Sequence, residues 1–293
     1  VPELWFLPEP LDFWELREDP VLREDPEPWL LAAAPERPRR GRRRRRLRAG
    51  SFSVMDLMLP TSGNISEVIE LEPYKEILTS LAGEFSRRGE ELYLVGGSVR
   101  DSFLGRLAGD LDFTTSALPA VTHDILEAWA GTVWDTGIEY GTISAAKDGQ
   151  QVEITTFRAD TYDGASRNPV VAFGSTLEGD LVRRDFTINA MAIKLLPSGE
   201  HEFCDPLGGL TALQNRIIDT PAEPEVSFGD DPLRMLRAAR FASQLEFGVD
   251  KRVVEAMTAM AGEINRITRE RIQVELDKLL CGAAPWRGID LLV

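Results

Sequence analysis

At 293 residues, with 43% hydrophobic and 28% charged residues, the chain has a globular composition and enough length for one large domain or two ordinary ones. No apolar run reaches the roughly 18 residues that a membrane helix needs, and a formal net charge of −15 excludes a uniformly basic nucleic-acid binder, though not a local basic stripe. Two histidines (His123, His201) and two distant cysteines (Cys204, Cys281) argue against a His-rich metal site, a Ser-His-Asp triad and a disulfide framework.

Residues 1–50 differ from the rest. Prolines recur among acids and tryptophans, and eight arginines crowd into positions 39–48. A run of that kind cannot build a core. Residues 1–65 are therefore expected to be a disordered or non-native extension, with Met55 a candidate start, although an RNA-binding arm would have the same composition. The acidic N-terminus lacks the basic-then-apolar pattern of a secretory leader, so the expected location is cytoplasmic.

From Pro73 the pattern becomes regular. Ile77, Leu78, Leu81 and Phe85 form the stripe of a helix, and Leu92–Val95 reads as a buried strand. Gly96-Gly97 then turns the backbone sharply and lets it approach something bulky, such as phosphates. A short helix over 98–104 ends at Gly105 and leads to Asp110-Leu111-Asp112-Phe113. On a strand this i, i+2 spacing sends both carboxylates to one face. Two neighbouring carboxylates repel unless a cation lies between them, and Mg²⁺ bound by carboxylates and substrate phosphates answers that need. Phosphate transfer is the chemistry these residues propose.

Further along, 119–130 reads as a helix in which His123-Asp124 is structural, and 132–134 as a strand. A hairpin follows around 147–150, and its second arm carries Glu153, a candidate third carboxylate. Residues 159–180 are rich in Gly, Asp, Ser and Asn and read as a mobile loop. A helix is expected through Asp185–Asn189, where Arg183, Arg184, Asp185 and Asn189 can grip a triphosphate and a ribose. With a strand at 190–196, residues 66–217 form a mixed α/β domain on a sheet of about five strands. Residues 218–293 read as helices alone, and the last residues look like the opening of a further helix in a truncated chain.

Arg234, Arg237 and Arg240 recur every third residue and drift around their helix, so they would meet different parts of a nucleotide. Asp231 only accepts hydrogen bonds and Arg234 only donates. Cytosine and adenine present an amino donor beside a ring-nitrogen acceptor, and uracil and guanine the reverse. Such a pair admits C and A and rejects U and G, by a factor that can be on the order of 10⁴.

Jointly, Gly96-Gly97-Ser98-Val99-Arg100-Asp101 with Asp110 and Asp112, Arg183–Ala190, Asp205–Gly209, Asp230–Arg234 and Arg271–Leu276 closely resemble the motifs of class II nucleotidyltransferases. That family comprises the bacterial CCA-adding tRNA nucleotidyltransferases and poly(A) polymerases. The resemblance covers about 72–293. It implies an α/β head and an all-α neck, with CMP and AMP passing from CTP and ATP to a tRNA 3′ end. It places Mg²⁺ and catalysis on Asp110 and Asp112, and nucleotide contacts on Gly96, Gly97, Arg100, Arg184, Asp185, Asn189, Asp231, Arg234, Arg237 and Arg240. Asp205–Gly209 corresponds to a hinge-like motif, and Arg271–Leu276 to one that braces the template helix. Poly(A) polymerase shares these motifs, whereas Thr136–Thr142 resembles the CCA-adding version; CC-only or A-only addition is a further variant. A non-catalytic RNA-binding fragment is the rival of a different class. The family template usually opens Glu-Asp, where this chain has Asp230-Asp231.

Overall fold

Each strand of the sheet obtains its place from which of its faces is apolar. The computed structural model describes residues 71–106, 111–161, 170–174 and 176–293, so the arginine run at 39–48 and Asp110 lie outside the described residues. Helix α1 (Lys75–Arg87) buries Leu78, Leu81, Ala82 and Phe85, one stripe of its surface. Strand β1 (Leu92–Val95) is buried along its whole length and sits inside the sheet. It runs through Gly96 into the short helix α2 (Gly97–Phe103). Strand β2 (Leu111–Thr115) then alternates, with Leu111 and Phe113 buried and Asp112 exposed.

Helix α3 (Pro119–Trp129) leads to β3 (Thr132–Trp134), β4 (Thr142–Lys147) and β5 (Gln150–Thr156). A separate hairpin, β6 (Arg158–Thr161) with β7 (Val170–Phe173), precedes α4 (Leu177–Val182). Strands β8 (Ala192–Leu195) and β9 (His201–Cys204) complete a seven-stranded mixed sheet in the order β3-β4-β5-β2-β1-β8-β9. β2 and β5 pair in parallel, which sets Asp112 directly beside Glu153.

The sheet exceeds the expected five strands chiefly through β9, an edge strand whose His-Glu-Phe-Cys sequence has little apolar alternation. The stretch expected as a mobile loop contains β6, β7 and α4. Thr176 caps α4 by accepting from the Gly179 N–H (3.3 Å), and Leu177 and Leu181 are buried. The helix expected through Asp185–Asn189 shrinks to one 3₁₀ turn at Thr187–Asn189. There the Asp185 carboxylate bonds the Phe186 N–H and the Asn189 amide, offering the backbone an alternative to a longer helix.

Helix α5 (Gly209–Asn215) and β10 (Ile217–Ile218) lead into α6 (Pro224–Asp230) and α7 (Leu233–Leu245). After β11 (Gly248–Val249), which pairs with β10, come α8 (Lys251–Met260), α9 (Arg269–Leu280) and α10 (Pro285–Asp290). α9 and α10 both pack on α7. A Cβ on Gly288 would meet the Ala239 carbonyl at 2.6 Å, so only glycine permits this approach of α10 to α7.

One apolar cluster runs from Phe85, Leu94, Phe113 and Ile154 through Phe186 and Ile188 to Phe228, Met235, Phe241 and Val253. Sheet and helices thus share a core across residue 217. The opposite face of β1, carrying Tyr93 and Val95, joins Phe157, Leu177 and Leu181 in a smaller cluster. Asp112, Glu153 and Thr155 open on that second face and line a cleft that residues of α7 also line.

Candidate active site

The cleft has a volume of about 340 Å³. Asp112 and Glu153 line it together with Asp180, Asp185 and Asp231, and with Arg158, Arg183, Arg184, Arg234, Arg237 and Arg271. Six guanidinium groups facing five carboxylates make a locally balanced, arginine-rich site in a chain whose net charge is −15. Local composition therefore permits an anionic ligand that net charge would disfavour.

Gly96 has φ +71° and ψ −137°, and a Cβ there would stand 3.1 Å from Arg184 Nη1 and 3.9 Å from Asp112 Oδ2. Glycine at this turn thus lets the backbone pass close to an arginine and a carboxylate. The Asp112 amide donates to Ser98 Oγ (3.2 Å), fixing the start of β2 against α2.

Asp180 is 3% exposed and organises the arginines after α4. Its Oδ2 accepts from Arg184 Nη2 (3.0 Å), its Oδ1 accepts from the Arg158 amide (3.3 Å), and Arg183 Nε lies 3.6 Å away. Arg184 Nε is buried and has no hydrogen-bond partner among the described residues.

Asp185 is 9% exposed. Burial alone would push its carboxyl up. The Arg237 guanidinium beside it, with hydrogen bonds from Asn189, Arg237 and the Phe186 amide, instead holds it below the usual carboxylate range. For Arg237 the balance is the mirror image: burial favours the neutral form, but Asp185 and Glu275 raise its pKa.

Arg100 is buried and turned inward, donating to both oxygens of Asp101 (3.0 and 2.7 Å) and to Asn189 Oδ1 (2.6 Å). Gly96, Gly97, Arg100 and Asn189 thus stand behind the cleft wall and do not line it. Arg240 is also turned away: it lies over the Phe241 ring (4.1 Å) and pairs with Glu275 of α9. That contact is close (Nε to Oε2, 2.6 Å) but not aligned as a hydrogen bond. Three residues fall short of one helical turn, so by Arg240 the drift from Arg234 has carried the side chain off the cleft.

Asp231 and Arg234 remain in the cleft, each held. Asp231 Oδ2 accepts from Arg271 Nη2 (2.9 Å) and its Oδ1 from the Leu233 amide (3.2 Å). Arg234 donates to the Arg183 carbonyl (2.6 Å) and to Ser227 Oγ (2.8 Å). Asp180 and Ser227 were not among the residues expected from sequence, whereas Glu275 lies in the stretch expected to brace the template helix. Asp205, in the hinge-like stretch, accepts from the Gly209 and Leu210 amides (2.7 and 2.9 Å) and so caps α5. His123, Asp124 and Glu127 gather on α3, on the surface and outside the cleft.

Residues 92–219 match the model of the poly A polymerase head domain, and 246–293 match that of a probable RNA and SrmB-binding site of polymerase A. The chain belongs to the poly(A) polymerase and CCA-adding nucleotidyltransferase family. It is 39% identical over 223 residues to the CCA-adding enzyme of Geobacillus sp. (strain WCH70), a match covering 76% of this chain and 53% of that protein. With the CCA-adding enzyme of Levilactobacillus brevis it shares 43% identity over 225 residues, 76% of this chain and 54% of the relative.

Among solved structures, the Bacillus stearothermophilus CCA-adding enzyme in complex with CTP superposes with a TM-score of 0.66 at 38% identity, over 75% of this chain and 52% of that one. The Thermotoga maritima CCA-adding enzyme complexed with tRNA gives 0.60 at 28% identity, over 75% and 50%. The chain spans about half the length of the curated relatives it matches. Class II nucleotidyltransferase chemistry is metal-dependent in general, and the oxygen donors of Asp112 and Glu153, side by side on β2 and β5, fit a hard divalent cation. Among the described residues no helix is long and apolar enough to cross a membrane.

Proposed function

We propose that this chain is the head and neck of a CCA-adding tRNA nucleotidyltransferase of the cytoplasm. It transfers CMP and AMP from CTP and ATP to the tRNA 3′-hydroxyl, with pyrophosphate leaving. Residues 66–217 form the head and 218–293 the neck. The observation that carries this reading is that Asp231 and Arg234 line the same cleft as Asp112. A donor-only and an acceptor-only group in one cleft with a metal-binding carboxylate can select a base while the triphosphate is held at the other end.

Asp231 accepts from the amino group of cytosine or adenine, and Arg234 donates to the neighbouring ring nitrogen. Arg184, which lines the cleft, reaches the phosphates, and Gly96 leaves room for its guanidinium. Arg237 keeps Asp185 ionised and in place, while Arg100, Gly97 and Asn189 support the same wall from behind. Asp110 and Asp112, with Glu153 as a third oxygen donor, hold Mg²⁺, which when bound lowers the pKa of the attacking hydroxyl and screens the triphosphate.

Labelled-nucleotide incorporation on tRNA lacking its CCA end tests the reading. CMP and AMP should be incorporated, UMP and GMP should not, and Asp112→Ala should abolish transfer. Equal use of all four nucleotides would overturn it. Growth of an A-only tail without CTP would favour the poly(A) polymerase activity that the family also contains.

A further inference from the structure

We infer that Ser227 is a specificity-positioning residue that fixes the hydrogen-bonding edge Arg234 presents to the base, an inference that rests on the nucleotide-selecting role proposed for Arg234. A guanidinium on a flexible stem can present several N–H edges, and a base-reading site needs one of them fixed. Here the choice is made by two acceptors behind the side chain. Ser227 is 2% exposed on α6, seven residues before Arg234, and its Oγ accepts from Nη1 at 2.8 Å. Its carbonyl takes a second, longer contact from the same nitrogen (3.3 Å). On the other side, the Arg183 carbonyl accepts from Nη2 at 2.6 Å.

Nη1 is thus tethered to both acceptors of Ser227, while Nη2 is tethered through one N–H and keeps a second one. The Arg183 carbonyl adjoins Arg184, so the base-reading arginine is referenced to the backbone that carries the phosphate-side arginine. Ser227 has the one side chain among these acceptors, which makes it the one that substitution can remove. Burial makes the bond strong, because water cannot replace the lost acceptor.

The test compares binding of CTP, ATP, UTP and GTP to the full chain and to Ser227→Ala, Ser227→Thr, Arg234→Ala and the Ser227→Ala/Arg234→Ala double variant. Equilibrium dialysis supplies affinities and thermal melting reports folding. The preference of the parent for CTP and ATP over UTP and GTP should fall about tenfold or more in Ser227→Ala, the loss of one buried hydrogen bond to a charged group. Its Tm should fall by several degrees while folding stays cooperative, because one buried hydrogen bond is lost but alanine suits the helix and leaves only a small gap.

Ser227→Thr keeps the hydroxyl and should restore the preference. In the Arg234→Ala background, Ser227→Ala should do nothing further. A parent that discriminates beside a Ser227→Ala variant with the same ratio would overturn the inference and leave the functional reading standing. An equal fall of the ratio with and without Arg234 would overturn it in the same way. A parent that binds all four nucleotides alike, or none, would bring both down.

Discussion

Arg237 donates from both Nε (2.9 Å) and Nη2 to a single oxygen of Asp185, while Asn189 and the Phe186 amide occupy the other. One carboxylate thereby ties α7 to the turn that follows α4. Its folded pKa lies below the ordinary value, so its contribution to stability is complete above the ordinary carboxylate range and fades as pH falls through the depressed one. The melting temperature should begin to drop below about pH 4, and Asp185→Asn should flatten that part of the profile. At neutral pH the variant should lose about 2–3 kcal/mol, less than a fully buried pair because Arg237 is partly exposed. Parallel acid slopes for parent and variant would show that Asp185 is not the group responsible.

Asp112 and Glu153 stand side by side across β2 and β5, but only Asp112 belongs to the Asp-x-Asp pair. Asp112→Ala should lower nucleotidyl transfer by about a thousandfold or more, as expected when several kcal/mol of charge stabilisation disappear. Glu153→Gln should cost less, and its loss should be partly recovered by raising the Mg²⁺ concentration in a titration. A Glu153→Gln variant with the parental Mg²⁺ dependence would remove Glu153 from the metal site.

Gly96 adopts positive φ with Arg184 close behind it. Gly96→Ala should therefore act twice, costing about 1–3 kcal/mol of backbone strain and displacing Arg184 from the phosphate side. Thermal melting and CTP affinity should fall together. Unchanged CTP affinity in a folded variant would separate Gly96 from nucleotide binding.

Asp180 holds the arginines after α4 without itself presenting a donor to an anion. Asp180→Asn should raise KM for CTP and for ATP by similar factors, about tenfold, and leave the ratio between them unaltered. A change in base preference without a change in KM would place Asp180 with the base-reading group.

Local periodicity explains what was legible in advance. A strand has a period of two, so Leu111-Asp112-Phe113 announces its own buried and open faces, and Gly96 after an apolar run announces a tight turn. Asp231 and Arg234 could be paired because they are three apart at a helix start. The partners that hold them are remote: Arg183 lies 51 residues from Arg234, Arg271 lies 40 from Asp231, and Arg237 lies 52 from Asp185. The sequence marks each of these arginines within its own motif, but no local pattern tells which distant acid or carbonyl it meets. Helical drift could be read for Arg240, but its destination, the Glu275 carboxylate of α9, depends on how two helices pack. α4 was hidden because glycine and aspartate between Leu177 and Leu181 outweigh two apolar positions in any composition count.

The parallel pairing of β2 with β5 also bears on durability. Val152 and Ile154 flank Glu153 and are buried in the main core, as Leu111 and Phe113 are around Asp112. A slip of one residue would turn Glu153 into the core and an aliphatic side chain into the cleft, so the spacing of the two acids cannot change without emptying the core. Their separation is guarded by the most cooperative part of the molecule. The backbone amides of β2 and β5 should exchange with solvent only through global unfolding, and heat should take away this acidic pair and the fold in a single event.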